Sequence, residues 1–338
     1  MLNTVTAIRI DTARSLAAAA LERAGTSPEN AASVAEALIA AERDDIASHG
    51  LSRVAFYADQ VAAGKVAGQA TPSVDTKGGV VRVDAGTGFA YPALDAGSQP
   101  LLTQAQRHGI AAVAITNSHH FGVAGHFVER LADQGLVGLG FGNAPAAIAP
   151  WGGKRPLFGT DPIAFAAPRT GEAPLVVDLS VSRVARGKIM MAQRRGDPIP
   201  EGWALDAEGR ATTDADAAMA GSVLPMGEAK GAALALMVEL LAAGLTGSSF
   251  AYEASSLFDA EGPAPRLGQL FIAIDPAFFQ AGAGFADRVN AMCAMIADQP
   301  EARLPGARRL AARQQAQMHI KVGEAILADL KSRAGQTD

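Results

Sequence analysis

A single cysteine, Cys293, stands in a chain of 338 residues. One thiol excludes an internal disulfide and a thiolate metal cluster. Its setting in an apolar helical run makes it a buried thiol. Aromatic residues are only 5% of the chain, too few for a base-stacking platform on a nucleic acid. No run of like charge occurs, and the net charge is −5, so a polyanion partner is not expected. The basic clusters (Arg183 with Arg186 and Lys188, Arg194 with Arg195, Arg303 with Arg308 and Arg309) suit a phosphate or a carboxylate rather than a duplex. Long apolar runs are also missing. The longest, 231–247, is interrupted by Glu239 and is too short to span a bilayer. Arg9, Asp11, Arg14, Glu22 and Arg23 stand where a secretory signal would be apolar. A cytoplasmic protein with no membrane partner is expected. What is plentiful is alanine, glycine and apolar residues, the last 49% of the chain, enough for a sizeable core.

The first 70 residues read as three helices. Asp11 is placed to cap the first, which stops near Gly25. Ser27-Pro28 opens the second, which runs to about Asp45. The third is expected from Ser48-His49-Gly50 onward, with Leu51, Val54, Tyr57 and Val61 at helical spacing. Beyond residue 70 the pattern mixes strands at 79–84, 110–116, 136–142, 175–179 and 269–274 with helices at 91–107, 123–134 and 230–245. A Gly/Pro-rich stretch covers 143–168, and a long charged helix is expected at 305–332. The order is not a regular βαβ alternation. The glycine fingerprint of a Rossmann dinucleotide site is absent: Gly86-Thr87-Gly88, Gly138-Leu139-Gly140 and Gly282-Ala283-Gly284 each lack the third glycine. A nicotinamide cofactor, if bound, needs another kind of site.

Five clusters carry candidate chemistry. In Ser48-His49-Gly50-Leu51-Ser52-Arg53, a helical start would place His49 and Arg53 on one face. An imidazole exchanges protons near neutrality, and a guanidinium fork grips a carboxylate. Ser48 is a tautomer-holding partner for His49, or simply a helix cap. Asn117 to Gly122 lies between a strand and a helix, where backbone N–H groups cradle phosphate; a plain turn is the alternative. His119 and His120 have no third ligand nearby, so no metal is expected, and His126 reads as structural. In 150–168, Thr160 and Asp161 are the polar contributors of a rigid loop or of a structural crossover. Asp178 ends a strand as a possible ribose acceptor, with Arg183, Arg186 and Lys188 following. Lys230 opens an apolar helix whose dipole favours anions. Ordinary surface charge at element ends accounts equally for these last two.

Together the segments SHGLSR, NSHHFG, PWGGKRPLFGTDPIAFAAPR, VVDLS, ARGK, LPMGEAKG and LGQLFIAIDP resemble, in order and over nearly the whole chain, the malate/L-lactate dehydrogenase family that is unrelated to the Rossmann-type enzymes. Within it, VRVDAGTGFAYPAL, SHHF, MVELLAAGLTG and RLPGARR are similar to the Δ1-piperideine-2-carboxylate/Δ1-pyrroline-2-carboxylate reductases. The resemblance implies an α/β fold: a non-Rossmann, mixed-sheet NAD(P)-binding and substrate domain over 71–304, and a helical domain from 1–70 completed by 305–335. It implies a homodimer, and NADPH as cofactor, with NADH possible. It implies His49 as proton donor with Ser48 as relay. Arg53, Thr160, Arg186, Gly187 and Lys188 fall to the substrate. His120, Phe121, Gly122, Val123, Ala124, Asp178, Leu179, Ser180, Lys230, Arg303, Leu304, Pro305, Gly306, Ala307, Arg308 and Arg309 fall to the cofactor. One departure stands out: the piperideine reductases carry an acidic residue where this chain has Lys188, although lysine there is common in the wider family. The expected reaction is reduction of a cyclic 2-imino carboxylate to L-proline or L-pipecolate. The alternatives are a 2-hydroxy acid dehydrogenase and, from another class, a non-catalytic small-molecule binder, against which Ser48, His49 and Arg53 argue.

Overall fold

The computed structural model describes residues 4–279 and 284–336; Gly282 and Ala283 of the third glycine pair lie outside the described residues. The chain begins with β1 (Val5–Arg9), α1 (Ile10–Arg23), α2 (Pro28–Arg43) and α3 (Val54–Ala62). It continues with β2 (Ser73–Lys77), β3 (Val80–Asp84), α4 (Ala90–His108), β4 (Ile110–Ser118), α5 (Ala124–Asp133) and β5 (Val137–Gly142). After a long irregular stretch come β6 (Ile163–Ala167), β7 (Leu175–Leu179), α6 (Arg186–Arg195), β8 (Ala204–Leu205), β9 (Ala211–Thr212), α7 (Ala215–Ala220) and β10 (Ser222–Val223). The last part holds α8 (Ala229–Glu239), which widens into a π-turn at Leu240–Gly244, then β11 (Leu267–Ile274), α9 (Phe285–Ala297), α10 (Ala307–Gln315), β12 (His319–Gly323) and α11 (Glu324–Arg333).

A seven-stranded mixed sheet forms the centre, in the order β2-β3-β4-β11-β5-β6-β7. Only β3 and β4 pair in parallel; every other neighbour is antiparallel. One face carries α4 and α5, whose Leu94, Leu101, Phe127 and Val128 pack on Val83, Val113, Ile115 and Phe271. The other carries α8 and its π-turn, with Val238 and Ala242 against Phe141 and Leu270. Apolar alternation therefore built the strands, and both faces are covered, as a mixed α/β sheet requires. The glycines of 138–140 serve this packing. A Cβ at Gly138 would stand 2.9 Å from Val128 of α5, and one at Gly140 would stand 2.7 Å from the Phe271 ring.

A second core joins the two ends of the chain: Leu16, Leu21, Val34, Leu38, Ile39, Val54 and Tyr57 pack with Ile320, Val322 and Leu330. Here the structure corrects the expected long helix at 305–332. β12 interrupts it and pairs antiparallel with β1. Ile320 and Val322 are buried between exposed His319 and Lys321, a period of two that a helix cannot satisfy. Two further expectations change. Asp11 does not cap α1; Arg9 holds the cap position, and Asp11 sits in the first turn with Arg14. Residues 47–53 form two 3₁₀ turns rather than the start of α3, because Gly50 separates them. Ser27 does cap α2, accepting from the Asn30 N–H at 3.3 Å. Cys293 is buried in α9.

Candidate active site

The turn that carries Ser48, His49 and Arg53 is shaped by a carboxyl group. The Glu42 Oε1 atom accepts from the Leu51 N–H at 2.7 Å, and a Cβ on Gly50 would lie 2.3 Å from the same oxygen. A side chain at position 50 would displace this carboxyl group. Burial pushes Glu42 up to about 7, against the opposing Leu51 N–H. Two consecutive 3₁₀ turns bring Arg53 back onto Ser48: its Nε donates to the Ser48 carbonyl at 2.7 Å. His49 and Arg53 are brought together as expected, but by this turn and not by one face of an α-helix.

Three imidazoles meet here. Ser48 Oγ lies 3.0 Å from His49 Nδ1, and the His49 ring stacks on His120 with centroids 5.3 Å apart. Tyr57 Oη is 2.6 Å from His120 Nδ1 and 3.3 Å from Tyr91 Oη. His119 is buried edge-on to Tyr57 and Phe89, and neither ring nitrogen has a hydrogen-bond partner. Burial, then the Arg53 charge, pushes His49 down to about 4. Burial, then Lys65 and Arg53, pushes His119 down to about 3, and His120 is likewise driven well below the ordinary range. All three rings are thus neutral near pH 7. Arg53 lies over the Phe258 ring, 5.1 Å from its centroid, and its terminal nitrogens have no ion-pair partner among the described residues. A neutral base and an unpaired guanidinium, one turn apart, are the parts needed to hold a carboxylate and exchange a proton beside it.

The loop before β6 approaches β7 through backbone. The Thr160 carbonyl accepts from Ser180 Oγ and from the Val181 N–H, both at 3.0 Å. Asp161 follows at φ +44° with a wholly buried carboxyl group beside Glu239. Burial and the mutual repulsion of these carboxyls raise the Asp161 pKa far above the usual range. At the start of α6, Arg186 donates to the carbonyls of Ala146 (2.9 Å) and Met219 (3.0 Å), so its guanidinium holds backbone. Gly187 opens onto free space, and Lys188 is exposed.

A second assembly forms at the N-terminus of α5, where His120, Phe121, Gly122, Val123 and Ala124 lead in. Gly122 takes φ +70°, and a Cβ there would meet Tyr91 Oη at 2.6 Å. The Gly125 N–H donates to Asp178 Oδ2 at 2.8 Å. Arg309 reaches both Asp44 (3.3 Å) and Glu129 (3.4 Å), and Arg313 pairs with the same two carboxylates at 2.7 and 2.9 Å. Burial alone would raise Asp44, but hydrogen bonds from Arg313 and His126 hold it at about 2. His126 is thus structural, bonded to Asp44 at 2.9 Å. A cavity of about 460 Å³ opens beside this network, lined by Asp44, Asp178 and the run Arg303, Leu304, Pro305, Gly306, Ala307, Arg308 and Arg309. Arg309 is engaged internally, which leaves Arg303 and Arg308 exposed and without ion-pair partners among the described residues. Leu179 ends β7 beside this cavity's Asp178, and Ser180 follows it. Lys230 is exposed in the first turn of α8; in the segment before this helix, the Met226 N–H donates to the Val181 carbonyl at 2.8 Å. The acceptor Asp178, a glycine turn at Gly306 and the exposed Arg303 and Arg308 around the cavity, with the N-terminus of α5 reaching Asp178 through Gly125, fit an anionic dinucleotide. Among the described residues no group of three or more His, Cys, Asp or Glu is arranged to hold a metal ion, and no helix is long and apolar enough to cross a membrane.

Residues 8–331 match the malate/L-lactate dehydrogenase family. The chain belongs to that family. It is 54% identical, over 97% of this chain and 98% of the relative, to a protein of Chromohalobacter salexigens named (2R)-3-sulfolactate dehydrogenase (NADP(+)). It is 43% identical, over 92% of this chain and 91% of the relative, to the Δ1-pyrroline-2-carboxylate/Δ1-piperideine-2-carboxylate reductase of Pseudomonas syringae pv. tomato. The crystal structure of Δ1-piperideine-2-carboxylate reductase from that organism superposes with a TM-score of 0.91 at 40% identity, covering 97% of this chain and 99% of the other. The chain is an oxidoreductase of this dehydrogenase family, and the substrate differs among its relatives. Sequence reasoning missed Tyr57, Tyr91 and His119 as members of the imidazole cluster, and Asp44 as the hub of the arginine network. The adjacent pair His119-His120 was the one local sign of the former.

Proposed function

We propose that this chain is an NADP(H)-dependent dehydrogenase that interconverts a small 2-hydroxy acid bearing a second anionic group, of the 3-sulfolactate type, with its 2-oxo acid. The observation that carries the reading is His49, neutral and held by Ser48, in the same turn as the unpaired Arg53. Arg53 grips the carboxylate through its terminal nitrogens and so fixes C2 beside His49. Neutral His49 takes the proton of the 2-hydroxyl as hydride leaves C2, and returns it in the reverse direction. When bound, a nicotinamide cofactor would supply or accept the hydride. Docking of the carboxylate brings an anion toward His49 and raises its proton affinity when the proton must be held. Asp178, the N-terminus of α5, and exposed Arg303 and Arg308 would hold the dinucleotide, the two arginines offering charge for a 2′-phosphate.

The second anion favours Lys188. It is an exposed cation in the first turn of α6, where the helix dipole adds positive potential. Through Ala146, this turn is tied to Ala251 (3.0 Å), in the loop that also carries Phe258 beneath Arg53. The similarity to the (2R)-3-sulfolactate dehydrogenase supports the same choice. A second reading, reduction of Δ1-pyrroline-2-carboxylate or Δ1-piperideine-2-carboxylate, is supported by the reductase of P. syringae and its crystal structure. It uses the same Arg53 and His49, with the imine nitrogen taking the place of the oxygen. The two cores support a division into a helical unit from both termini and a sheet unit between them. Steady-state rates with (2R)-3-sulfolactate, malate and lactate plus NADP⁺, against the two cyclic imines plus NADPH, test the assignment. Turnover of sulfolactate at the highest kcat/KM is expected; imine reduction alone would replace the first reading with the second.

A further inference from the structure

Lys65 is the most deeply buried cation outside the site just described. Its side chain has no exposed surface. Its Nζ donates to the carbonyls of Ser256 (2.7 Å), Asp259 (3.2 Å) and Glu261 (2.6 Å) and faces the Asp259 carboxylate at 3.2 Å. Gln60, a turn earlier, donates to the same Asp259 carbonyl at 2.8 Å. An ammonium has three protons to give, and here each has an oxygen from a single short segment. Burying a cation is costly unless it is fully hydrogen-bonded, so this segment is gripped in one arrangement.

The gripped segment presents Phe258. Its ring is edge-on to Phe56 of α3, with centroids 5.9 Å apart, and it lies beneath the Arg53 guanidinium. Arg53 is thus held on two sides: Nε by the Ser48 carbonyl, and its face by Phe258. That leaves the edge bearing the two terminal nitrogens for a ligand. A bidentate carboxylate pair depends on the plane of the guanidinium, and an aromatic face fixes that plane.

We propose that Lys65 is a positioning residue for substrate binding: it clamps the 256–261 segment so that Phe258 sets the plane in which Arg53 receives the substrate carboxylate. This rests on the assignment of Arg53 as carboxylate ligand. Lys65 and Phe258 act through Arg53, so their loss affects carboxylate affinity more than the chemical step.

The test compares Phe258→Leu, Phe258→Tyr, Lys65→Met and Arg53→Lys. KM and kcat are measured for (2R)-3-sulfolactate or Δ1-pyrroline-2-carboxylate, whichever the unaltered enzyme turns over, together with KM for the cofactor and the thermal midpoint. Phe258→Leu should raise the substrate KM about threefold to thirtyfold, with kcat and cofactor KM within about twofold and an unchanged midpoint. Phe258→Tyr, which keeps the ring, should restore the normal KM. Lys65→Met should raise the substrate KM in the same way, less than additively with Phe258→Leu. If Lys65→Met does not fold, the two Phe258 variants decide. An unchanged substrate KM in Phe258→Leu, or equal losses in both KM values and kcat, overturns the clamp. If Arg53→Lys also leaves KM unchanged, it is the assignment of Arg53 that fails, and the two failures are told apart.

Discussion

The two sides of this molecule handle charge in opposite ways. Around His49, His119 and His120 the titratable rings are kept neutral, and Arg53 beside them is left without a counter-ion among the described residues. Around the N-terminus of α5 the charges are paired, with Asp44 and Glu129 each shared by Arg309 and Arg313, and Asp44 is held at about 2. On the proposed function, the difference follows from the work at each place. A proton-exchanging base must have an accessible neutral state, and a carboxylate ligand must not already be neutralised. A wall that anchors a charged dinucleotide must instead be rigid, and a satisfied ion network is rigid.

The contrast is broken most severely at His49. His49→Ala should lower kcat by about 10²–10⁴-fold with little change in stability, measured by steady-state NADPH absorbance. Asp44→Ala attacks the other side. It leaves Arg313 and Arg309 with Glu129 alone and His126 without its carboxylate, and should destabilise the fold by up to about 3–5 kcal/mol in urea unfolding, the cost of breaking a buried pair, more than it affects the substrate KM. Arg53→Lys loses the planar fork and should raise the substrate KM by about tenfold or more, with cofactor KM unchanged.

A smaller effect sharpens the comparison through pH. The His119 pKa is about 3 in the folded protein and near the ordinary 6.5 when unfolded. The unfolded chain therefore binds the extra proton between those values. The contribution to stability is complete above about 6.5 and is lost as pH falls toward 3, by at most about 1.4 kcal/mol per pH unit. His119→Phe keeps a ring against Tyr57 and Phe89 and removes two unpartnered nitrogens. Its thermal midpoint should equal or exceed that of the unaltered protein, and should depend less on pH between 6.5 and 4. A steeper dependence in the variant would contradict the neutral, unpartnered assignment.

How far the sequence disclosed this arrangement depended on the range of the interaction. β3, β4, β5, β7 and β11 were legible because apolar residues recur along them and turns bound them. β6 was hidden in the Gly/Pro-rich stretch, and β1 and β12 are short strands at opposite ends of the chain that make sense only as a pair. At the site, Ser48, His49 and Arg53 lie in one hexapeptide and could be singled out locally. Tyr57 joins His120 across 63 positions, and Lys65 reaches Ser256 across 191. Local spacing made Tyr57 one more apolar ridge of α3 and gave Lys65 no role. Arg309 looked like a free phosphate ligand because its partners, Asp44 and Glu129, are far away in sequence.

Proton exchange at this site turns on the protonation of His49, and ¹⁵N-histidine NMR reads it directly. In the ligand-free enzyme the His49 imidazole should titrate near pH 4, and its pKa should rise on addition of cofactor and a substrate carboxylate in unaltered protein but not in Arg53→Ala. A His49 that titrates near 6.5 and ignores the carboxylate would contradict it.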